Sequence, residues 1–380
     1  MTSGAQPAGA ALVFNGGSAT VKVASIVRDD LGQLTRAADL LLDGHGAAEQ
    51  VLDRMRTTAP FHDTMPPDVI GHRVVHGGPV QVAKLIDSEV ERIIEQYGDL
   101  APLHNAASLA MIRAAAVAYP GVPQVAVFDT AFHATMPIAA SRYALPTELA
   151  DRFALRRYGF HGISCDGATQ AVAAYLGKDV DDLSVIICHL GGGASVTAVR
   201  QGRSVDTSMG LTPLAGLVMG TRSGDLDPAV VPYLMRVAAM TGEDVLDLLM
   251  HRSGLVGLCG DEDLRVIRRR AGAGDESACT ALAVYTHRIR HFVGAYVGQL
   301  PDLDALVFTG GVGEHDVDVR EEVVGPLAHL GLELDPGLNA AGAAGVVTRI
   351  GGGADSTPVL VVRADEETAI AKAAFSLVES

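Results

Sequence analysis

An α/β fold in two structurally related domains is predicted by three features of the sequence: its length, its alternation of strand-like and helical segments, and one phrase written twice. At 380 residues the chain exceeds the usual size of a single hydrophobic core, and a hydrophobic fraction of 48% is enough to fill two. Apolar, β-branched runs alternate with segments of helical periodicity along most of the chain, the pattern of α/β proteins. The stretch "LVFNGGSATVKVAS" (12–25) returns as "VIICHLGGGASVTAV" (185–199). In each, an apolar run meets consecutive glycines and small hydroxyl residues, then an alternating run. The copies lie about 175 residues apart, too far for a solenoid repeat. Each is therefore read as the opening hairpin of one domain.

The remaining strand candidates follow in order: "DVIGHRVVHGG", "VPQVAVFDTAFH", "SVIICHLGGG", "DALVFTGGVGE" and "PVLVVRADEE". Each ends in glycine or in polar residues, as strands do when their C-terminal ends open onto a ligand crevice. Helices are expected over Ala106–Tyr119, Asp166–Leu176 and Thr280–Leu300. In the last, Leu282, Tyr285, Ile289, Phe292 and Tyr296 recur at three- and four-residue intervals, share one helical face and read as core.

The formal net charge of -16 excludes nucleic acid and anionic membranes as partners, since both need a basic footprint. A small anionic substrate can still be held by a few local arginines. Cys165, Cys188, Cys259 and Cys279 are scattered, with no CxxC pair and no metal-ligand spacing, which fits a reduced, cytoplasmic protein. The N-terminal "MTSGAQPAGA" lacks the basic region and apolar run of a signal peptide and reads as a frayed tail. No apolar stretch reaches the roughly 18 to 20 residues of a membrane span.

Glycine turns let a backbone approach a phosphate closely and present N–H groups to it. Two related turns point to a phosphorylated ligand served by both domains. The P-loop pattern GxxxxGK[ST] is absent, and none of the four lysines has its spacing. No HExxH motif occurs. His72 and His76 lie on a strand running into a turn, where their spacing builds no zinc site. What remains is a set of glycine turns with arginine, histidine and carboxylate residues close to strand ends. Phosphoryl transfer needs these groups: donors for the equatorial oxygens, a carboxylate-supported magnesium ion, and in-line placement of nucleophile and leaving group.

In order along the chain, "HRVVHGG", "LAPLHN", "VFDTAFHATMP", "RRYGFHGIS", "HLGGGAS", "DTSMGLTPLAGLVMGTRSGDLDPA", "FTGGVGE" and a final "EE" resemble the acetate kinase (acetokinase) family, over a span from Leu12 to the last helix. The resemblance implies the superfamily of acetate and sugar kinases, heat-shock protein and actin. Its fold is two duplicated actin-like (ribonuclease H-like) domains, with mixed sheets flanked by helices and a nucleotide cleft between them. It places residues 10–132 and 368–380 in an N-terminal domain and 133–367 in a C-terminal, nucleotide-binding one. It also implies a homodimer acting on acetate or acetyl phosphate with ATP or ADP, and magnesium, with manganese as an alternative.

Residue roles are carried over only where the motifs match. The resemblance gives Asn15 and Glu366 to magnesium, with Ser18 on the same first turn as Asn15, and Lys22 to the nucleotide. Arg73 and Arg222 match the arginines that hold substrate carboxylate and transferring phosphoryl group. His161 matches the histidine of transition-state stabilisation, and Asp129 the catalytic aspartate. His189, Leu190, Gly191, Gly192 and Gly193 match one nucleotide segment, Asp263, Leu264 and Arg265 a second, and Gly311, Val312, Gly313, Glu314 and His315 a third. Val75, Leu103, Phe160 and Pro213 match the pocket around the substrate methyl group. Because a small carboxylic acid has a pKa of about 4 to 5, it is already ionised at pH 7 and needs no general base. Asp129 is thus expected to orient magnesium or Arg73.

Several positions depart from the family form. "NGGSAT" stands where three successive serines are usual, Gly192, His315 and Asp365 each replace an asparagine, and Cys165 replaces a histidine. Each lost hydrogen bond costs about 1 to 3 kcal/mol. Two alternatives to an acetate kinase follow: a kinase for propionate or butyrate, since one methylene is worth only about 1 to 3 kcal/mol of discrimination, or a weakened nucleotide-binding paralogue with a regulatory role.

Overall fold

The two copies of the repeated phrase fold as antiparallel strand pairs, and the strand order of the sheet that each opens is duplicated as well. The computed structural model describes residues 7–17, 20–43, 48–58, 61, 65–353 and 356–379, with backbone only at 7, 43, 102 and 103. Strands β1 (Pro7–Gly16), β2 (Thr20–Asp29), β3 (Leu34–Asp43), β4 (Val69–Val74), β5 (Lys84–Leu85) and β6 (Gln124–Phe128) form one six-stranded sheet in the order β3-β2-β1-β4-β6-β5. Strands β7 (Val185–Leu190), β8 (Ala194–Arg200), β9 (Arg203–Thr207), β10 (Ala305–Thr309), β11 (Val347–Gly351) and β12 (Val359–Val362) form the second, in the order β9-β8-β7-β10-β12-β11. The match is strand for strand. The first three strands of each sheet run as antiparallel neighbours, the first pairs in parallel with the fourth, the fourth in parallel with the sixth, and the fifth closes the edge antiparallel to the sixth.

Each sheet carries helices because its first, fourth and sixth strands are parallel, and parallel neighbours need crossover connections. In the first sheet the alternation of side chains divides β1 between two faces. Leu12 and Phe14 pack with Val23, Ile70 and Met111 of the helix Pro102–Ala118. Ala11 and Val13 pack on the other face with Val125 and with Ile370, Ala374 and Phe375 of the helix Glu366–Val378.

The chain groups into two compact units. One comprises Met1–Ala134, Phe160–Gly167 and Asp365–Ser380, and the other Thr135–Gly159 and Ala168–Ala364. The segment carrying His161 and the acidic residues 365–367 thus belong with the first sheet. The strand candidates occur as β4, β6, β7, β10 and β12, and the three expected helices as Pro102–Ala118, Gly162–Leu176 and Glu276–Val297. On the last, Leu282, Tyr285, Ile289 and Tyr296 are buried, whereas Val293 takes the buried position expected of Phe292. The expected N-terminal tail needs correction from Pro7 onward. Residues 7–10 already pair with β2, and Asp68 accepts from the Ala10 amide at 2.8 Å, which ties the strand start down. Residues 1–6, and Ser18, lie outside the described residues.

Candidate active site

In the first unit, β1, β4 and β6 are parallel neighbours, so their C-terminal ends share one edge of the sheet. Asn15 closes β1, Arg73 stands at the end of β4, and Asp129 follows β6, its amide bonded to the Val74 carbonyl at 2.9 Å. The helix Glu366–Val378 brings its first turn to the same place. Arg73 is the hub. Its Nε and Nη2 donate to a single oxygen, Asp129 Oδ2, at 3.0 and 2.7 Å, and its Nη1 donates to Asn15 Oδ1 at 3.1 Å and lies 3.7 Å from Glu366 Oε2. Asn15 Nδ2 donates to Glu366 Oε2 at 2.9 Å and Glu367 Oε1 at 2.6 Å.

Because both Arg73 donors fall on Asp129 Oδ2, the other oxygen, Oδ1, is buried with no hydrogen-bond partner among the described residues. A buried carboxylate oxygen left open is costly unless something positive meets it. Burial pushes the Asp129 carboxyl up to about 6 against the pull of Arg73, and the Glu366 charge pushes the same way. Burial disfavours the charged form of Arg73, but attraction to Asp129 and Glu366 outweighs it and its pKa rises.

Opposite pH trends follow. Ionising Asp129 in the fold costs stability, so its favourable contribution is present below the ordinary carboxyl value of 3.8 and is lost as pH rises through about 6. Activity that needs the ionised form should instead fall as pH drops through about 6, on the order of tenfold per pH unit. Thermal melts and kcat/KM recorded between pH 5 and pH 7.5 should diverge in this way in the unaltered protein, and in Asp129→Asn the local pH dependence of the melt should vanish. Melts whose pH dependence is the same in both proteins would remove Asp129 as its source.

His161 has φ near +60° and is buried, and the next residue stitches it to the site. The Gly162 amide donates to the Asp129 carbonyl at 2.9 Å, and a Cβ at 162 would stand 2.1 Å from that oxygen, so only glycine fits. Cys165 is buried one turn on, its amide bonded to the His161 carbonyl. Val75 and Phe160 are buried in the same unit. The Leu103 side chain lies outside what is described. Lys22, expected at nucleotide, sits with the acidic residues of this unit, its Nζ 4.0 Å from Glu367 Oε1.

The other expected residues lie in the second unit. Arg222 is held in a loop fixed by backbone bonds from Met219 N to Arg222 O and from Ser223 N to Leu249 O. Gly254, at φ +61°, lets the chain pass where a Cβ would stand 2.2 Å from the Met219 carbonyl. Arg222 Nη1 donates to the carbonyl of Pro213, itself buried, at 3.2 Å. No carboxylate pairs with Arg222 among the described residues, and burial lowers its pKa. The Met219 sulfur, 3.7 Å away, is its other partner, so the charge of this half-buried cation is not met by an opposite charge within the described residues.

The first and third expected nucleotide segments adjoin one another. Gly191–Gly193 form the turn between β7 and β8, closed by Gly191 N to Gly193 O at 3.0 Å, and His189 pairs with Thr309 beside it. Gly311–His315 follow β10 in the short helix Gly310–His315. Asp263 caps the helix Leu264–Gly272, and its carboxylate also binds the Arg265 guanidinium at 2.9 and 2.7 Å. Sequence reasoning missed the residues that fasten these segments. Arg268 reaches Asp316 and Glu322, just past His315, and Arg320, fully buried, donates to the Gly313 and Glu314 carbonyls and to Asn339. Their partners lie on other elements, so no local spacing announces them.

A Cβ added at Gly192 would meet no atom within 4 Å, the φ there is not positive, and His315 is exposed. Asparagine therefore fits at 192 without strain. If its amide reaches a phosphate, Gly192→Asn should improve kcat/KM for ATP by about 0.5 to 1.5 kcal/mol, the worth of one net hydrogen bond, with the KM for the acid unchanged. No gain, either alone or with His315→Asn, would refute a missing contact at this position.

A profile of the acetokinase family matches residues 12–372. Acetate kinase of Streptomyces coelicolor (strain A3(2)) is 53% identical over 310 residues, 81% of this chain and 76% of its own. Acetate kinase of Arthrobacter sp. (strain FB24) is 45% identical over 389 residues, covering 97% of this chain and 99% of its own. Among solved structures, Porphyromonas gingivalis acetate kinase superposes with a TM-score of 0.84 at 34% identity, over 98% of this chain and 100% of that one. A propionate kinase from Francisella tularensis subsp. tularensis SCHU S4 gives 0.86 at 35%, over 97% and 99%.

Proposed function

Since the chain belongs to the acetokinase family, we propose that it is a kinase that moves the γ-phosphoryl group of ATP reversibly onto acetate, giving acetyl phosphate and ADP. The observation that carries this reading is Arg73, fixed among Asn15, Asp129 and Glu366 with one Asp129 oxygen left open. Acetate is already an anion at neutral pH, so the barrier is repulsion between two anions rather than removal of a proton. The residues supply what that barrier requires. Arg73 receives the acid's carboxylate, Arg222 draws charge from the transferring phosphoryl group, and His161 donates to the same developing charge. Asp129 holds Arg73 in place and removes no proton.

Magnesium fits the donor set of the first unit. The open Asp129 Oδ1 and the neighbouring Glu366 are hard oxygens with excess negative charge, the kind such a cation takes. Asp129 and Glu366 would hold it, and Asn15, whose Oδ1 already accepts from Arg73, would orient Glu366 rather than ligate. When bound, it would neutralise phosphate oxygens and help align them. The nucleotide is assigned to His189–Gly193, Asp263–Arg265 and Gly311–His315, and to Lys22 on β2.

Val75 and Phe160, buried in the first unit, are proposed to bound the acid's methyl group. Acyl phosphates trapped by hydroxylamine, with ATP, magnesium and straight-chain acids of two to five carbons, test the reading. Highest kcat/KM on acetate is expected; no product from any acid would sink it, and a preference for propionate would reassign the substrate. We further propose a homodimer in the cytoplasm, which light scattering and cell fractionation would test. Among the described residues no helix is long and apolar enough to cross a membrane.

A further inference from the structure

Glu367 is almost entirely buried, its side chain 4% exposed, and a buried carboxylate needs both a counter-charge and bonded oxygens. Both come from residues far away in sequence. Arg36, on β3, donates from Nη2 to Glu367 Oε2 at 3.0 Å and to Asp365 Oδ1. The other oxygen, Oε1, accepts from Asn15 Nδ2 at 2.6 Å. Lys22 is a weaker second cation, 4.0 Å away on a side chain 58% exposed to water. Asp365 also caps the helix that carries Glu366 and Glu367, accepting from the Thr368 amide at 3.1 Å.

The consequence reaches the centre of the site through Asn15. An asparagine amide can be turned over, exchanging its donor and acceptor ends. Here Glu367 and Glu366 together claim Nδ2, which points Oδ1 at Arg73 Nη1. One unbroken series of contacts therefore runs from Arg36 through Glu367 and Asn15 to Glu366 and Arg73. Without Arg36, the adjacent carboxylates at 365, 366 and 367 repel one another with only Arg73, beside Glu366, and the exposed Lys22 to compensate, and Glu367 gains by turning toward water. Asn15 then loses the shorter of the two acceptor contacts that fix its amide.

We propose that Arg36 is a positioning residue for phosphoryl transfer: by pairing with Glu367 and Asp365 it holds Glu367 on Asn15, and through Asn15 it sets Glu366 and Arg73. This rests on the kinase reading above. It touches no substrate itself, so its effect falls on kcat and on cation affinity rather than on the KM for the acid.

The test uses two readouts on the full chain: steady-state kinetics, and Mn2+ binding followed by the electron paramagnetic resonance signal of the free ion, without nucleotide. Arg36→Met should lower kcat and weaken Mn2+ binding, each by about tenfold or more, the scale for losing an outer partner of a cation site. The KM for acetate should stay within about twofold, since Arg36 makes no contact with the acid. Combining it with Glu367→Gln keeps an acceptor for Asn15 and removes the need for a counter-charge, so kcat should recover to within about threefold of the unaltered protein. Unchanged kcat and Mn2+ binding in Arg36→Met, or no recovery in the pair, would overturn the proposal. If Arg36→Met does not fold, Arg36→Lys carries the test. One ammonium cannot replace the fork on both carboxylates, so kcat should drop by about threefold or more, and unaltered values in both readouts would overturn the proposal equally. Failure of the unaltered protein to make acyl phosphate would instead sink the kinase reading, while Mn2+ binding would still decide the role of Arg36.

Discussion

Arg73→Ala should lower kcat/KM by about a thousandfold or more, because removing a preorganised donor costs about a hundred- to a thousandfold and this residue also organises its neighbours. Asp129, Asn15 and Glu366 all take contacts from its guanidinium. Its loss leaves Asp129 buried without a counter-charge, and breaking a buried pair in this way costs about 3 to 5 kcal/mol. The carboxylate can avoid part of that cost by taking up a proton. The destabilisation should therefore be larger at pH 8 than at pH 5. Arg73→Ala with Asp129→Asn should regain most of the stability and none of the activity. Recovery of activity in the pair would mean that Arg73 serves only to neutralise Asp129.

Arg222→Ala should lower turnover by at least about a hundredfold, the scale for one transition-state donor, yet leave the melting temperature unchanged or raised. The contrast with Arg73 is physical. Arg222 has a carbonyl and a methionine sulfur for partners and no carboxylate among the described residues, and burial disfavours its charge. Removing an unpaired, desolvated cation relieves the fold. Kinetics and thermal melts on the same sample decide the matter. A marked loss of stability would show that Arg222 has a structural partner, and near-normal turnover would remove it from the mechanism.

The two opening hairpins were legible because a glycine turn between an apolar run and an alternating run is a local signal, and its recurrence predicts a duplicated fold. That the two sheets share one order of strands agrees with this duplication, although the order itself was not legible. Asn15, Arg73 and Asp129 were approachable for a related reason: each sits at the C-terminal end of a strand, where parallel neighbours bring their ends together. The pairing of Arg36 with Glu367 spans 331 positions, and nothing in the periodicity of β3 distinguishes that arginine from a solvated one. Arg320 was hidden for the opposite reason. It lies in a short helix with Asp318, Glu321 and Glu322, and only tertiary packing buries it completely. The strand start at Pro7 was missed because small residues carry no alternating pattern, although the backbone pairs all the same.

If this chain supplies charge neutralisation and placement rather than a nucleophile of its own, the acid's oxygen must displace ADP at phosphorus in one in-line step. The most direct measurement is the configuration at phosphorus after transfer from ATP made chiral at the γ-phosphoryl group with oxygen isotopes. Inversion in the acetyl phosphate formed is the predicted result. Retention would require an intervening phosphoryl-protein intermediate and would contradict the roles given to Arg73, Arg222 and Asp129.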